Sequence, residues 1–367
     1  MDKILHYVGA MNHGGMENLI MNVYRNIDKS KYQFDFAVHT KNEADMDKEI
    51  IELGGRIIPF PSFRSNPIRY RKVWNDFWRE NHSKYKVFHF HTDSLANIEA
   101  IKAALNYRVS KIIIHAHSAS TNKGKLQLIH NIVHKINQHK ISKKKNIVLA
   151  SVSDEASQWV FGEVNDRIQK INNGIDYKKF RYNKDYRELI RDKYRIQQDE
   201  IVLGHTGTFV PVKNHKKLIS ILKGVLSIDN NIKLMLVGGG PMKKGIKENV
   251  FKDGIADKVI FVGNTSEVNK YLSAMDIFLF PSFYEGLPLS LIEAQVNGLP
   301  VLASKNISRE VIISNNINFL DINDDNNKSW ISQILELKSN YRRNHKEVVD
   351  DKFKIEETVL RFMSMYN

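Results

Sequence analysis

The sequence predicts an α/β protein made of two Rossmann-like, doubly wound domains, each built on a parallel sheet. Short apolar runs rich in β-branched residues alternate with longer segments of helical periodicity, a pattern typical of parallel sheets covered by helices on both faces. This alternation begins afresh near residue 201, after a polar, turn-rich stretch at 172–186. The length of 367 residues is also appropriate for two domains.

The first half of the chain contains the elements of one such domain. Apolar runs predict strands at 3–8, 33–39, 56–59, 87–91, 111–116 and 148–152. Apolar residues at helical spacing predict helices at 15–26, 46–53, 66–81, 95–105 and 125–141. Strands of this kind, with helices between them, are expected to pair in parallel.

The second half repeats the same order of elements. Strands are predicted at 201–206, 233–237, 258–261, 277–280, 300–303 and 318–320. Helices are predicted at 214–227, 243–253, 266–274, 289–297 and 306–315, and a final amphipathic helix at 353–367. A ligand-binding cleft between two domains is the expected arrangement.

The composition excludes several classes of protein. The chain has no cysteine, which excludes a disulfide framework, a thiolate zinc site, an iron–sulfur cluster and a cysteine nucleophile. Its apolar runs are shorter than the ~18 residues that a membrane span requires. We therefore expect a cytoplasmic protein.

The formal net charge of +14 is concentrated in the first half. Residues 64–150 contain 17 Lys and Arg but 4 Asp and Glu, and 100–153 contains no acidic residue. Aromatic side chains lie within the basic segment at Trp74, Phe77 and Trp78, and an apolar stripe lies among lysines at Leu126, Ile129, Ile132, Val133 and Ile136. This pattern predicts docking on an anionic membrane surface. Alternatively, the stripe packs on the domain's own sheet and the lysines are merely solvated, an interpretation that the apolar residues alone favour.

The most specific motif is a pair of glutamates in the segment 280–304. Glu285 follows the predicted strand that ends at Phe280, so it lies where open α/β sheets bind ligands, and Glu293 lies on the next helix. Backbone amides after Glu285 are expected at the positive end of that helix, which suits a phosphate. The alternative is a helix-terminal charge and a surface residue.

Two further loops are candidates in the first half. Gly14 and Gly15 follow the first strand, where backbone without side chains can approach a phosphate; the alternative is a simple turn before a helix. His117 follows the strand at 111–116, with His115 two residues earlier. A metal site from these two with His89 or His91 lacks a carboxylate partner, so hydrogen-bonded histidines, and no metal, are predicted.

Several segments, taken in order, resemble the retaining GT-B glycosyltransferases of family 4: GGMEN at 14–18, HAHS at 115–118, NNGID at 172–176, VGGGP at 237–241, FVGN at 261–264 and the glutamate segment at 280–304. The resemblance implies a GT-B fold with a central cleft and a last helix that crosses back to the first domain. The first domain, 1–170 with 353–367, would bind the acceptor, and the second, 171–352, would bind a nucleotide-sugar donor.

The resemblance also implies roles for individual residues. Glu293 would bind the ribose hydroxyls and Glu285 the hydroxyls of the donor sugar, while His117 would lie near the reacting sugar. Gly14 and Gly15 belong to the family's first loop. Backbone groups near the donor would come from Gly263, beside the base, and from Gly286, Leu287 and Pro288, beside the sugar and diphosphate.

The expected diphosphate site departs from the family's pattern at one position. Lys213 matches a lysine that neutralises the diphosphate, but Thr208 stands where an arginine is usual. A threonine offers one hydrogen bond and no charge, so Lys213, Asn214 and helix amides are expected to contribute more. The residues predicted to act in catalysis are His117, Lys213 and Glu285.

The resulting hypothesis is a retaining, metal-independent hexosyltransferase that moves a sugar from a UDP-sugar to a lipid-linked oligosaccharide for capsule or exopolysaccharide synthesis, peripherally at the inner face of the cell membrane. The nucleotide-sugar is a substrate, so no cofactor is expected. Two alternatives remain open: a sugar-nucleotide epimerase or phosphorylase on the same scaffold, and a basic nucleic-acid-binding protein. The hypothesis of a transferase predicts no nucleic-acid partner.

Overall fold

The structure, a computed structural model, describes residues 1–12, 14–118, 127–324, 326–340, 343 and 350–367. These residues form two compact units. Unit 1 comprises Met1–Gly174 and Lys352–Asn367, and unit 2 comprises Ile175–Asp351. Each unit contains one parallel sheet.

The sheet of unit 1 has seven strands in the order β3-β2-β1-β4-β5-β6-β7, and every neighbouring pair is parallel. The strands are β1 (Asp2–Tyr7), β2 (Tyr32–Val38), β3 (Arg56–Pro59), β4 (Val87–Thr92), β5 (Lys111–Ala116), β6 (Ile147–Ser151) and β7 (Ile168–Lys170). The order reverses between β1 and β4, so the loops that follow these two strands leave the sheet in opposite directions.

Helices lie between these strands along the chain: α1 (Gly15–Asn26), α2 (Asp47–Glu52), α3 (Pro67–Asn81), α4 (Glu99–Asn106), α5 (Gln127–Ser142) and α6 (Asp154–Phe161). The two tryptophans of α3 do not lie at the surface, as a membrane-docking role for them would require, and Phe77 is partly buried. Trp74 and Trp78 are fully buried and pack with Phe88 and Phe60 in the core. The prediction that Trp74 and Trp78 contribute to membrane docking is therefore wrong, because the apolar face of α3 packs on its own sheet.

Unit 2 has a six-stranded sheet in the order β10-β9-β8-β11-β12-β13, again all parallel. Its strands are β8 (Ile201–Thr206), β9 (Ile232–Val237), β10 (Val259–Gly263), β11 (Ile277–Phe280), β12 (Val301–Ser304) and β13 (Ile317–Leu320). Its helices are α7 (Tyr177–Phe180), α8 (Lys184–Lys193), α9 (His215–Leu226), α10 (Lys243–Lys252), α11 (Val268–Ala274), α12 (Leu289–Val296) and α13 (Lys328–Ser339).

The last helix, α14 (Ile355–Tyr366), follows unit 2 in the chain but packs in unit 1. Phe362 and Tyr366 are fully buried in the core that α1 forms with the sheet. The Tyr32 hydroxyl of β2 donates a hydrogen bond to the Asn367 side chain at 2.7 Å. The return of the last helix to the first unit and the predicted fold class are thus confirmed.

One predicted helix is wrong. Residues 306–315 contain a single short 3-10 turn, Arg309–Val311, where a full helix was predicted. The Gln295 side chain forms hydrogen bonds with two backbone groups of this segment. It donates to the Val311 carbonyl at 2.8 Å and accepts from the Ile313 amide at 3.1 Å. These two backbone groups therefore have hydrogen-bond partners without a helix.

The helix α5 has an outward apolar stripe, although Ile141 near its end is buried in the core. Leu128, Ile129, Ile132, Val133 and Ile136 are between 36% and 74% exposed. The inward side is polar: the His134, Asn137 and Gln138 side chains bond to backbone groups of Leu95 and Trp159. The interpretation that this stripe packs on the sheet is therefore wrong for these residues; Leu126 lies outside the described residues.

None of the helices in the described part of the chain combines the length and hydrophobicity needed to cross a bilayer.

Candidate functional site

The candidate site of unit 2 lies where its strand order reverses, between β8 and β11. Open α/β sheets bind ligands at the carboxyl ends of the strands at such a point. The loop after β8 contains Thr208, Lys213 and Asn214, and the loop after β11 contains Glu285 and Gly286. The topology thus places most of the predicted donor residues on two neighbouring loops.

The two loops are bonded to each other. The Phe283 amide donates to the Val212 carbonyl at 2.9 Å, and the Asn214 side-chain amide donates to the Pro281 carbonyl at 3.1 Å. Asn214 has a left-handed backbone with φ 54°, a conformation that asparagine tolerates better than most residues. Asn214 therefore fixes the end of the loop that presents Lys213.

Lys213 and Glu285 form an ion pair across the two loops. Lys213 Nζ lies 2.8 Å from Glu285 Oε1, and the two side chains are 16% and 18% exposed. The ammonium also lies 4.9 Å from the centre of the Phe280 ring, within cation–π distance. The pair orients both charges at the predicted junction of donor sugar and diphosphate.

Two histidines that the sequence analysis did not single out lie next to Lys213. His205 Nδ1 donates to the Leu279 carbonyl at 2.9 Å, and the His215 ring stacks on Phe209 at 4.0 Å. Burial, aided by His215 and Lys213, holds the pKa of His205 well below its usual value, and burial followed by Lys213 lowers the pKa of His215 to about 4. Both imidazoles are neutral at physiological pH, which leaves Lys213 as the positive charge of this group.

Glu293 lies on α12 and has no side-chain hydrogen bond or ion pair within the described residues. Burial raises the pKa of its carboxyl to about 7, while Lys179 of α7 opposes the shift. A partly buried carboxylate without a partner can accept hydrogen bonds from two neighbouring hydroxyls, and a buried acid whose pKa is shifted is typical of a functional site. The geometry is compatible with the predicted ribose contact.

The segment from Glu285 to Pro288 leads directly into α12. Pro288 precedes the helix, and no side chain among the described residues caps its first turn. The Leu291 amide donates to the Pro288 carbonyl at 3.0 Å, which leaves the amides of Leu289 and Ser290 at the positive end of the helix. A side chain added at Gly286 would meet nothing within 4 Å, and Leu287 is partly exposed. The backbone of Gly286 and Leu287 is thus accessible beside the Lys213–Glu285 pair, whereas Pro288 is buried.

The glycine-rich loops after β9 and β10 form the other side of this region. Gly238 has φ 139° and packs so closely that a Cβ there would lie 2.1 Å from the Gly207 carbonyl oxygen. Its amide donates to the carbonyl of Gly263 at 2.9 Å, and Gly263 itself has φ 98°. Thr208 is exposed at the start of the adjoining loop. The backbone conformation at Gly238 and Gly263 favours glycine, independently of any contact with a ligand.

The remaining predicted residues lie in unit 1. Gly14 precedes α1, which begins at Gly15, and the Glu17 carboxylate folds back over it: a Cβ on Gly14 would lie 2.2 Å from Glu17 Oε2. Burial raises the pKa of Glu17, its own backbone amide lowers it, and Asp93 raises it further. An anionic group already lies at this helix end, a feature that the sequence analysis missed.

His117 follows β5, and its Nε2 lies 2.8 Å from His91 Nδ1. Burial lowers the pKa of His117 to about 3, so the imidazole is neutral in the physiological range. It can exchange hydrogen bonds with a hydroxyl but does not supply a positive charge.

Known proteins share this architecture over nearly the whole chain. The solved structure of Anabaena Alr3699/HepE in complex with UDP superimposes with a TM-score of 0.78 at 15% identity, covering 99% of both chains. A glycosyltransferase from Rickettsia africae gives a TM-score of 0.78 at 17% identity, over 100% of this chain and 97% of that one. The fold is that of the GT-B glycosyltransferases.

Sequence comparison gives the family. The model of the family described as glycosyl transferases group 1 matches residues 186–349, which include Lys213, Glu285 and Glu293. The protein named "Putative glycosyltransferase EpsF" of Bacillus subtilis is 31% identical over 318 residues, 84% of this chain and 80% of that protein. The chain belongs to the glycosyl transferases group 1 family and is a glycosyltransferase.

Other relatives match over shorter stretches. The UDP-Gal:alpha-D-GlcNAc-diphosphoundecaprenol alpha-1,3-galactosyltransferase of Escherichia coli is 27% identical over 165 residues, 43% of this chain and 42% of that protein. The capsular polysaccharide biosynthesis glycosyltransferase CapM of Staphylococcus aureus is 28% identical over 134 residues, 36% of this chain and 35% of that protein. The relatives thus include enzymes of polysaccharide biosynthesis.

Proposed function

We propose that this glycosyltransferase is a retaining enzyme of family 4 that moves a hexose from a UDP-sugar to a lipid-linked oligosaccharide in the synthesis of a capsule or exopolysaccharide. The main support is the group at the switch point of unit 2: the Lys213–Glu285 pair beside accessible backbone amides, with the unpartnered Glu293 on the following helix. The names of the E. coli and S. aureus relatives support the UDP-sugar, the lipid-linked acceptor and the capsule.

Each part of the donor has a chemically suitable partner in this group. Glu293 accepts hydrogen bonds from the two ribose hydroxyls, and Glu285 accepts hydrogen bonds from hydroxyls of the sugar. Lys213, Asn214 and the amides at the N-terminus of α12 stabilise the diphosphate, because they combine one positive charge with outward N–H groups. Thr208 adds a hydroxyl in place of the usual arginine charge.

In the proposed reaction the acceptor oxygen bonds to the anomeric carbon on the same face from which the diphosphate leaves. The bond between the anomeric carbon and the diphosphate oxygen breaks, and the acceptor's proton passes to a diphosphate oxygen. Lys213 and the helix amides stabilise the negative charge that develops on the leaving group, usually the largest contribution to such a step. No metal or cofactor takes part in this proposal.

His117 is assigned to the acceptor half of the reaction. Its neutral imidazole can position a hydroxyl but is too weakly basic, with a pKa of about 3, to serve as the general base. This supports the transfer of the acceptor's proton to the diphosphate.

The donor assignment is tested by measuring thermal stability with UDP, GDP and ADP, for the wild type and for Glu293→Gln. A ligand at 100 times its Kd adds about 2.7 kcal/mol of apparent stability. We expect UDP alone to raise the wild-type Tm, with a smaller rise for the variant. A shift with GDP or ADP instead, or a UDP shift that the variant retains in full, would contradict the assignment.

Turnover is tested with UDP-sugars and a lipid-diphosphate acceptor extracted from a capsule-forming strain. The expected product keeps the anomeric configuration of the donor, which NMR coupling constants show directly. Inversion would overturn the retaining mechanism, and full activity after chelation by EDTA is expected.

The outward apolar face of α5 supports peripheral membrane binding. Isolated exposed apolar residues are normal on a protein surface, but five on one helix form a continuous stripe. Exposed lysines accompany the stripe at Lys135, Lys140, Lys143, Lys144 and Lys145. An apolar stripe flanked by charge of one sign is typical of helices that lie in the interface of an anionic bilayer.

The membrane assignment is tested by sedimentation with phosphatidylglycerol vesicles and with neutral phosphatidylcholine vesicles. The triple variant Ile129→Ser, Ile132→Ser and Ile136→Ser removes exposed side chains only, so the fold is expected to remain intact. We expect at least tenfold weaker binding to anionic vesicles, while the control Ile228→Ser, equally exposed in unit 2, binds as the wild type does. Equal binding of both variants would contradict the role of α5.

A further inference from the structure

Five histidines form a layer on one face of the unit 1 sheet. His6 lies on β1, His89 and His91 on β4, His115 on β5, and His117 directly after β5. The first four are buried, with His6 packed against Phe34 and Phe36 and His89 against Phe362. Strand alternation brings them to the same face, because His6 pairs with His89 in register and His91 pairs with His115.

These imidazoles are joined by hydrogen bonds in two series. His6 Nδ1 lies 2.9 Å from His91 Nε2, and His91 Nδ1 lies 2.8 Å from His117 Nε2. His115 Nδ1 lies 3.3 Å from His89 Nε2, and His89 Nδ1 lies 3.1 Å from the Tyr366 hydroxyl. His115 Nε2 is buried and has no hydrogen-bond partner among the described residues. A buried polar atom without a partner is uncommon and calls for an explanation.

We propose that His91, His115 and His117 bind one divalent transition-metal ion of the zinc class through His91 Nδ1, His115 Nε2 and His117 Nε2. One nitrogen from each of these three residues lies within 4.8 Å of the others. The ion provides a partner for His115 Nε2 and takes the place of the proton that His91 and His117 share, while His117 retains a proton on Nδ1.

Metal binding requires the three imidazoles to adjust, because their nitrogens lie up to 4.8 Å apart. Zn–N bonds of about 2.0–2.1 Å in a tetrahedral site place the nitrogens about 3.3 Å apart, so the 2.8 Å contact between His91 and His117 opens by roughly half an ångström. His117 is the least buried of the three residues, which gives the ion an entry path and leaves a fourth position for water.

The outer hydrogen bonds are those that a metal site needs. A histidine that binds a metal through one nitrogen donates the other N–H to a fixed acceptor. His6 is that acceptor for His91, and His89 is the acceptor for His115, with Tyr366 next to His89. The sequence offered no carboxylate for this role, but neighbouring histidines and a tyrosine from the last helix fulfil it.

A second possible triad among the described residues, His6, His89 and His91, also contains a buried nitrogen without a partner, His6 Nε2, but is less suitable. Both ring nitrogens of His89 and of His91 already have partners, so a metal there would displace more of the hydrogen bonds. Three imidazoles favour Zn²⁺, Co²⁺ or Ni²⁺ over Mg²⁺, which prefers oxygen ligands. The proposed ion lies in the unit 1 sheet and is not a part of the donor chemistry proposed above, so it is tested by binding.

The test uses the untagged full chain, stripped with a chelator and titrated with Co²⁺ while the visible absorption of four-coordinate Co²⁺ is followed. We expect one Co²⁺ per chain, displaced by Zn²⁺ and unaffected by Mg²⁺. His115→Gln and His117→Gln are expected to weaken binding at least 100-fold, and His89→Gln, which removes an outer partner, by about 10- to 100-fold. The exposed His139→Gln is the matched control and is expected to bind as the wild type does.

Circular dichroism and UDP binding show whether each variant is folded, and His117→Gln is the most informative because His117 lies at the end of its strand. No four-coordinate Co²⁺ signal in the wild type would overturn the proposal. It would also be overturned if His117→Gln bound Co²⁺ normally while His6→Gln did not, since this would indicate the other triad. Loss of UDP binding with intact Co²⁺ binding would contradict the proposed donor site instead.

Discussion

At the scale of single residues, the proposed donor site contains two glutamates in different electrostatic surroundings. Glu285 is paired with Lys213 at 2.8 Å, whereas the Glu293 carboxyl has no ionic partner within the described residues and its pKa is raised to about 7 by burial. The carboxyl of Glu293 therefore changes charge within the physiological range. This difference makes the two residues separable by experiment.

The affinity for UDP is expected to depend on the ionisation of Glu293. Below a pKa of about 7 the carboxyl is protonated and accepts hydroxyl hydrogen bonds poorly, so UDP affinity rises as the pH rises through this value, by up to tenfold per pH unit below it. Isothermal titration between about pH 6 and 8 measures this effect. Glu293→Gln does not titrate, so its profile shows only the ionisation of the phosphate. Identical profiles would exclude Glu293 from the site.

Lys213→Ala is expected to weaken UDP binding and leave uridine binding unchanged. The ammonium contacts the diphosphate in our proposal, and a hydrogen bond to a charged group contributes about 1.5–3 kcal/mol, or roughly 10- to 150-fold in Kd. Competition binding with UDP and uridine separates the two effects. Lys216→Ala is the control, because Lys216 is an exposed lysine three residues later, in the first turn of α9. Equal losses for UDP and uridine would indicate structural damage.

At the scale of elements, β4 lies at the centre of the histidine layer of unit 1. It contributes His89 and His91 to a buried layer whose other members come from β1 and β5. Burial lowers the pKa of His6 to about 3 and that of His89 and His91 well below the usual value, with neighbouring histidines adding to the last two shifts. The layer is stable because its imidazoles are neutral.

Unit 1 is therefore expected to lose stability in mild acid. The pKa of each buried histidine is lower in the folded chain than its unfolded value of 6.5, so the unfolded state binds protons first as the pH falls. Stability is full above that value and falls between about pH 6.5 and 3, by roughly 1 kcal/mol per pH unit for His6 alone. Urea unfolding of the metal-free protein, followed by tryptophan fluorescence at several pH values, measures this slope. His6→Gln should reduce it, and a flat profile would contradict the neutral layer.

At the scale of the whole molecule, the chain passes through unit 2 and then returns to unit 1. The last helix covers the histidine layer with Phe362 and contacts it through Tyr366. Unit 1 is therefore completed by residues separated from the rest of it by about half of the sequence. Its core cannot be fully formed until the end of the chain is present.

Removal of residues 353–367 is expected to prevent the stable folding of unit 1. A milder variant, Phe362→Ala, should cost about 3–5 kcal/mol because it leaves a cavity in a closed core. Chemical denaturation measures the loss, with Leu360→Ala as the control because Leu360 is 58% exposed on the same helix. A soluble truncated protein with full activity would contradict this expectation.

Much of the fold follows from local patterns in the sequence. The strands at 201–206 and 277–280 and the helix at 15–26 have the predicted bounds, because a buried strand or an amphipathic helix is recognisable from the spacing of its own residues. The helix predicted at 306–315 does not form, and the short strand β7 was not predicted. The segment 306–315 forms hydrogen bonds with the side chain of Gln295, which lies outside it and is not visible in the local pattern.

The candidate site was predictable in outline for the same reason, since Glu285 and Glu293 belong to one continuous motif that follows an apolar strand. The tertiary structure alone determined that Lys213 pairs with Glu285, that α5 turns the apolar stripe at 128–136 outward, and that four buried histidines and His117 share one face of a sheet. Each of these depends on contacts between residues far apart in the chain. Hydrophobic periodicity indicates which residues of a segment share a face. What that face packs against depends on the packing of the whole unit.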